Sequence, residues 1–464
     1  MNEKSPLLFV IFGATGDLAN RKIIPALAQL FSTKLLNREI KIIGFSRKDL
    51  SDDDYRQFAK KSIQSAKIDL PEQDLVDFLK LVHYKQGDMN KLDSFDELKI
   101  YLSEIGNTFS NGEPEKIFYL ALPPNLYEQS FSNLSDSKLV DSFDRILVEK
   151  PFGTDINESQ RLDRLLGKLF DENQIFRIDH YLAKEAIQNI LTFRFANAIF
   201  EPLWNGEHIE KIQILLYENG GISNRSNFYN DIGALRDVGQ NHILQMIATI
   251  VMNDPQGTTA PKIRKSRYEA LSKLKLFSGK VEEAAFRGQY DSYVSEIGQN
   301  SKTETFFRFK LKVDDQKWHG VPIYVESGKA LSENLVEIIV TFKQKKSFVC
   351  PIGDVCSYNN VVKFKISPDS KISVLFWTKK SGFNFDVEQK EMTFSFEKNN
   401  LTLNSDYQKV LYDCISGDLT LFPSTEEVAT QWRVINEILS KWHVLPLEIY
   451  KKGIIPSEIT KTFN

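Results

Sequence analysis

The chain has 464 residues, 42% of them hydrophobic and 26% charged, the balance of a soluble globular protein of about two domains rather than of a fibrous or disordered one. A formal net charge of −3 offers no basic field to nucleic acid or to an anionic membrane, so neither is expected as a partner and any cationic site must be local. Cys350, Cys356 and Cys414 form neither a CxxC pair nor an even disulfide framework, which predicts packing roles in a reducing, cytoplasmic compartment.

The apolar run 7–12 is too short for a signal-peptide core or a membrane span and predicts a strand covered on both faces. Gly13-Ala14-Thr15-Gly16-Asp17-Leu18-Ala19 ends it, and a helix is expected over 18–36. Further strands are expected over 40–45, 117–122 and 145–149, the last two stopped by Pro123 and Pro151, with helices such as 54–65 and 158–170 between them. This alternation predicts an N-terminal α/β domain with a parallel, doubly wound (Rossmann-like) sheet. Beyond Asp179, period-two runs at 209–218, 306–313, 321–325, 336–342, 371–377 and 392–396 follow one another with few helices, chiefly 240–252 and 425–441. They predict an α+β C-terminal domain on a large, mostly antiparallel sheet. The expected domains are 1–179, nucleotide-binding, and 180–464, substrate-binding and dimerising.

Two glycines between a buried strand and a helix, Gly13 and Gly16, let the backbone approach a pyrophosphate at the helix N-terminus, although such a turn also occurs with no ligand. The second strand is followed by Arg47-Lys48 where NAD-binding folds place a carboxylate. That pair suits the extra phosphate of NADP, with Arg47 the better candidate because its planar fork pairs bidentately; the alternative is a solvated charge pair opening the next helix.

Three stretches rich in ionisable residues fall at expected strand ends or their continuation: 149–153 (EKPFG), 177–185 (RIDHYLAKE) and 236–242 (RDVGQNH). The carboxyl ends of parallel strands open onto the ligand crevice. His180, Tyr181 and Lys184 make a reasonable clamp for a dianion. If the chain is still extended at Asp179, Asp179 and His180 face opposite ways and serve different tasks, one orienting a base and the other binding phosphate. None of the six histidines stands in an HxxxH or His/Cys spacing, so a metal is not expected.

At these motifs the sequence resembles the glucose-6-phosphate dehydrogenase family. The likeness runs nearly end to end: Gly13 to Lys22, Phe118 to Pro124, Glu149 to Gly153, Arg177 to Glu185, Arg236 to Gln245, Gly320 to Ala330, and Asp413-Cys414 with Gly417-Asp418. It implies oxidation of glucose 6-phosphate to 6-phosphogluconolactone with NADP, and a homodimer or homotetramer assembled through the C-terminal sheet. It implies His242 as the general base and Asp179 as its orienting carboxylate. Phosphate ligands would be His180, Tyr181, Lys184 and Lys329. Lys22, Lys150, Glu218 and Asp237 would contact sugar hydroxyls or cofactor, and Thr15, Asp17 and Leu18 lie in the dinucleotide turn. Two positions depart from the family pattern. Ala183 replaces a glycine, and Asn334 stands where many members carry a basic residue, which implies a clamp short of one cation. A Gfo/Idh/MocA-type sugar oxidoreductase would share the Glu-Lys-Pro but leave Asp179 to Lys184 unexplained; a non-catalytic NADP-binding protein is the other alternative.

Overall fold

Six consecutive apolar residues form β1 (Leu7–Phe12), and every one of them is buried. The computed structural model describes residues 5–36, 39–110, 112–222, 226–344, 357–396 and 406–459. They fall into two compact units, Met1–Ala183 with Thr259–Pro261 and Asn400–Val428, and Lys184–Thr258 with Lys262–Asn399 and Ala429–Asn464.

In the first unit β1 is flanked by β2 (Ile40–Ser46) and, across the crossover, by β4 (Glu115–Leu120), both parallel to it. With β3 (Val82–Gln86), β5 (Arg145–Val148) and β6 (Ile175–Arg177), the order is β3-β2-β1-β4-β5-β6, all parallel. Central strands covered on both faces must be apolar throughout. Phe12 accordingly meets Phe45 edge-on at 5.5 Å and stacks on Phe118 at 5.9 Å. The first helix is shorter than 18–36 and begins as a π-helical turn, Ala19–Ile23, before the α-helix Ile24–Ser32.

Helix Asp406–Ser416 belongs to this unit although it lies far along the chain. Arg145 Nη1 donates to the Cys414 carbonyl at 2.7 Å, and Phe176 meets Phe422 edge-on at 4.8 Å. Arg177, only 3% exposed, pairs with Asp163 at 2.6 Å and Glu172 at 3.1 Å, donates to Thr425 Oγ1 at 2.6 Å and lies over the Phe152 ring. Cys414 is a buried free thiol; Cys350 and Cys356 lie outside the described residues.

The second unit is built on a ten-stranded sheet: β7 (Ile209–Tyr217), β8 (Leu274–Leu276), β9 (Ala285–Tyr290), β10 (Phe306–Val313), β11 (Ile323–Gly328), β12 (Leu335–Phe342), β13 (Val361–Ser367), β14 (Lys371–Lys379), β15 (Val387–Ser395) and β16 (Leu447–Tyr450). Its order is β15-β14-β13-β12-β7-β11-β10-β9-β16, with β8 paired to β10. All pairs are antiparallel except β7–β11 and β9–β16. The helix expected over 240–252 is instead a π-helical segment, Leu235–Ile243, continuing into an α-helix, Leu244–Val251. Helix Glu185–Phe195 packs on the sheet through Phe193, edge-on to Phe364 at 5.2 Å.

Arg194, 0% exposed, ties that helix to the end of Leu244–Val251. It donates to the carbonyls of Thr249 (3.1 Å) and Met252 (2.8 Å), pairs with Glu201 at 3.3 Å and lies over the Trp204 ring. Removing one partner from a buried network leaves the others unsatisfied, which costs more than the network contributes net. Arg194→Met should lower unfolding stability by about 3 kcal/mol in urea titrations followed by tryptophan fluorescence. Glu201→Gln, at a half-exposed acid that also meets Lys317 at 3.1 Å, should cost about 1 kcal/mol or less.

Candidate active site

The first-unit candidates other than Lys22 follow the carboxyl ends of parallel strands. Gly13 has φ +77°, and a Cβ on it would lie 2.4 Å from the Ala121 carbonyl oxygen, so only glycine lets β1 turn here against the end of β4. The Gly13 N–H donates to Phe45 O at 2.9 Å, and Thr15 Oγ1 lies 3.0 Å from Ser46 Oγ, fixing the turn to the end of β2. Gly16 and Asp17 are exposed and Leu18 half-buried; Lys22 is exposed on the π-helical turn, and Asp17 pairs with Arg21 at 3.6 Å. Arg47 follows β2, four residues before Ser51, whose capping box with Asp54 opens the next helix, so Arg47 does not itself open that helix. It lines a cavity of about 300 Å³ with Asp88, Met89, Asn90, Pro123 and Asn125. A close-approach glycine turn, an exposed guanidinium and a cavity at the strand ends beside the crossover between β1 and β4 together fit a phosphorylated dinucleotide.

Lys150 follows β5. Beside it Glu149 is buried, accepting the Tyr119 hydroxyl at 2.5 Å and the Tyr407 hydroxyl at 3.2 Å, while burial pushes its carboxyl above the usual range. Tyr407 also stacks on the His180 ring, centroids 5.9 Å apart and planes 21° off parallel. β6 ends at Arg177, and Asp179 Oδ1 accepts the Tyr181 N–H at 3.1 Å, beginning a turn. Its side chain thus shapes the turn that presents His180 and Tyr181, and strict alternation of faces does not apply.

In the second unit Lys184 precedes helix Glu185–Phe195. The structure brings together Glu218, after β7, Asp237, and Lys329, after β11. The Lys329 ammonium pairs with Glu218 Oε2 and lies 3.6 Å from Asp237 Oδ2, over the ring of buried Tyr229 at 5.3 Å. The backbone of Lys329 is held too, its N–H by Thr305 O at 2.9 Å and its carbonyl by the Tyr450 hydroxyl at 2.7 Å. Asn334 Oδ1 accepts the Asn219 N–H at 2.9 Å, so it secures the loop carrying Glu218. His242 is 1% exposed. The third ionisable stretch is not a strand end: Asp237 and His242 lie in the π-helical segment, where bonds span five residues and residues five apart stack one turn above the other.

Sequence reasoning missed Tyr229 and Tyr407. Aromatic residues inside helical patterns read as core, and only the fold shows one over Lys329 and the other against His180. Among the described residues no group of three or more His, Cys, Asp or Glu side chains is disposed to hold a metal ion, and no helix is long and apolar enough to cross a membrane.

A parallel sheet with a glycine turn and an exposed arginine at the carboxyl ends of its strands, and a second unit that gathers a lysine between two carboxylates, suit a nucleotide-dependent enzyme acting on a polar substrate. The family models of the glucose-6-phosphate dehydrogenase NAD binding domain and C-terminal domain match residues 10–189 and 191–463. The chain belongs to the glucose-6-phosphate dehydrogenase family. It is 34% identical over 453 residues to glucose-6-phosphate 1-dehydrogenase of Bacillus subtilis, covering 94% of this chain and 92% of that one. It is 35% identical to the Rhizobium meliloti enzyme, covering 93% and 90%. A solved glucose-6-phosphate dehydrogenase in complex with its substrate glucose 6-phosphate superposes with a TM-score of 0.89 at 29% identity, covering 100% of this chain and 99% of that one. The protein is therefore an oxidoreductase that oxidises glucose 6-phosphate with NADP as cofactor. This sets aside the Gfo/Idh/MocA-type and non-catalytic alternatives.

Lys329 offsets part of the negative charge of two carboxylates. Replacing it leaves Glu218 and Asp237 repelling each other and an incoming phosphorylated sugar. Lys329→Met should raise KM for glucose 6-phosphate at least about tenfold with a smaller change in kcat, read from initial rates over a substrate series.

Proposed function

We propose that the product is 6-phosphogluconolactone and that His242 is the general base. His242 accepts the proton of the anomeric hydroxyl as the C1–H bond breaks and the C1–O bond becomes the lactone carbonyl. When bound, the nicotinamide ring supplies the acceptor for the hydride from C1. Histidine suits this because its neutral form is available near neutral pH. Asp179 is, by the family resemblance, the partner that fixes the tautomer and offsets the imidazolium. His180, Tyr181, Lys184 and Lys329 hold the phosphate, and Lys22, Glu218, Asp237 and Lys150 contact sugar hydroxyls or cofactor. Gly13, Thr15, Gly16, Asp17 and Leu18 carry the dinucleotide and Arg47 its 2′-phosphate. In this reading residues 1–179 are the NADP domain and 180–464 the substrate and dimerisation domain.

The observation that carries the reading is the cluster of Lys329, Glu218 and Asp237 in the second unit, with His242 five residues from Asp237 on the same π-helical segment. A homodimer or homotetramer is supported by the apolar side chains left open at one end of the sheet: Phe376 on β14, Met392 and Phe394 on β15, and Phe383 and Phe385 between the two strands. The buried free thiol of Cys414 supports a reducing, cytoplasmic setting.

His242→Asn keeps volume and polarity but cannot take the proton. A positioned base contributes roughly a hundred- to ten-thousand-fold in rate, so kcat should fall by at least about that order with little change in KM. Retention of more than about a tenth of wild-type kcat in stopped-flow NADPH absorbance would remove His242 from the role.

Cofactor choice is tested separately. Arg47→Ala should raise KM for NADP by about tenfold or more while leaving that for NAD nearly unchanged, since only NADP has the phosphate a guanidinium fork can grip. Equal losses with both cofactors would assign the selection elsewhere.

A further inference from the structure

Glu304 is a buried acid, 3% exposed, that no step of the proposed reaction uses. It lies two residues ahead of β10, and both its backbone and its side chain grip the elbow from which the segment Leu235–Ile243 starts. Its carbonyl accepts the Ala234 N–H at 3.1 Å, and its Oε1 accepts the Leu235 N–H at 2.9 Å. Its Oε2 accepts the Trp442 indole N–H at 3.0 Å. One residue upstream, the Thr303 hydroxyl donates to the Asn230 carbonyl at 2.6 Å.

These contacts answer a specific need of the backbone. Helix Ser226–Ala234 is broken at Gly233, whose φ of +72° and ψ of 169° lie outside any helix. The amides that follow lose their helical acceptors, as at any helix start. A carboxylate facing such amides is favoured both as hydrogen-bond acceptor and as a charge at the positive end of the helix. A Cβ on residue 233 would lie 2.5 Å from Glu304 Oε1, so the missing side chain is what admits the carboxylate. Arg236 and Arg287 are the cations whose charge it feels.

We propose that Glu304 is a positioning residue: by holding the Ala234 and Leu235 amides it fixes where the π-helical segment begins and therefore the register in which Asp237 and His242 follow. The proposal rests on the assignment of His242 made above. Glutamine at 304 keeps the size but has a single acceptor oxygen, so either the Leu235 or the Trp442 N–H is left facing an NH2 group.

The test uses the full-length enzyme and measures amide hydrogen exchange by mass spectrometry in peptides covering 234–244, together with kcat and KM. Glu304→Gln should speed exchange in these peptides at least about tenfold and lower kcat at least about tenfold, more than it changes KM. Trp442→Phe, which removes the other hydrogen bond but keeps the Leu235 contact, should move exchange and kcat by less than about threefold. A merely structural carboxylate would make the two variants alike, and that result overturns the proposal. So does unchanged exchange in Glu304→Gln. If Glu304→Gln does not fold, Gly233→Ala crowds the same carboxylate from the other side and should give the same local loosening. His242→Asn measured alongside separates the two ideas. A loosened segment with intact kcat, where His242→Asn is inactive, overturns the positioning role; an active His242→Asn overturns the base assignment instead, and exchange alone then decides whether Glu304 holds the segment.

Discussion

Within Leu235–Ile243 the helical hydrogen bonds span five residues rather than four. In an α-helix, residues five apart are about 140° apart around the axis; here that separation brings Asp237 and His242 onto one side. The wider turn has poorer hydrogen-bond geometry than the α-helix and is rare for that reason, so it must be held from outside. Its neighbours do so: the acid before β10 at its start, and Gln431, whose side-chain amide donates to the Asn241 carbonyl at 3.4 Å, near its end. A second π-helical turn, Ala19–Ile23, follows the dinucleotide turn and carries Lys22.

In both units charged groups are secured by several bonds at once. Arg177 has two carboxylates and a hydroxyl, Arg194 a carboxylate and two carbonyls, Glu149 two phenols, and Lys329 two carboxylates and a ring. Such groups add little net stability over apolar packing of the same shape, but each allows only one arrangement of its surroundings. Arg177 illustrates the point. It belongs to the stretch that continues into Asp179 and His180, and it fixes that stretch against Phe152 of the Glu-Lys-Pro stretch without being a ligand candidate itself.

The parts of the fold legible in the sequence were those set by local pattern. The buried run of β1, the glycine turn and the arginine after β2 follow from apolar continuity and two residue types, and alternation marked β7, β10 and β12 nearly to their ends. What could not be read is what depends on distant partners. The helix 240–252 begins as a π-helix because a glycine elbow and a remote carboxylate set its start, and neither changes its apolar spacing. At Asp179 the side chain accepts an N–H of its own loop, a local choice that the residue pattern leaves open. Tyr229, Tyr407 and Glu304 have no local signature; each matters through contacts across the fold.

The return of Asp406–Ser416 and the residues up to Val428 to the first unit bears on how the protein is made. Synthesis at about 5–20 residues per second puts tens of seconds between emergence of Ala183 and arrival of the helix whose carbonyls satisfy Arg145 and whose ring lies against His180. Through that interval the nascent nucleotide-binding sheet lacks the contacts that Phe422 makes with Phe176, the Cys414 carbonyl with Arg145 and the Thr425 hydroxyl with Arg177. A chain ending before residue 406 would therefore carry the six-stranded sheet without the segment that makes these contacts.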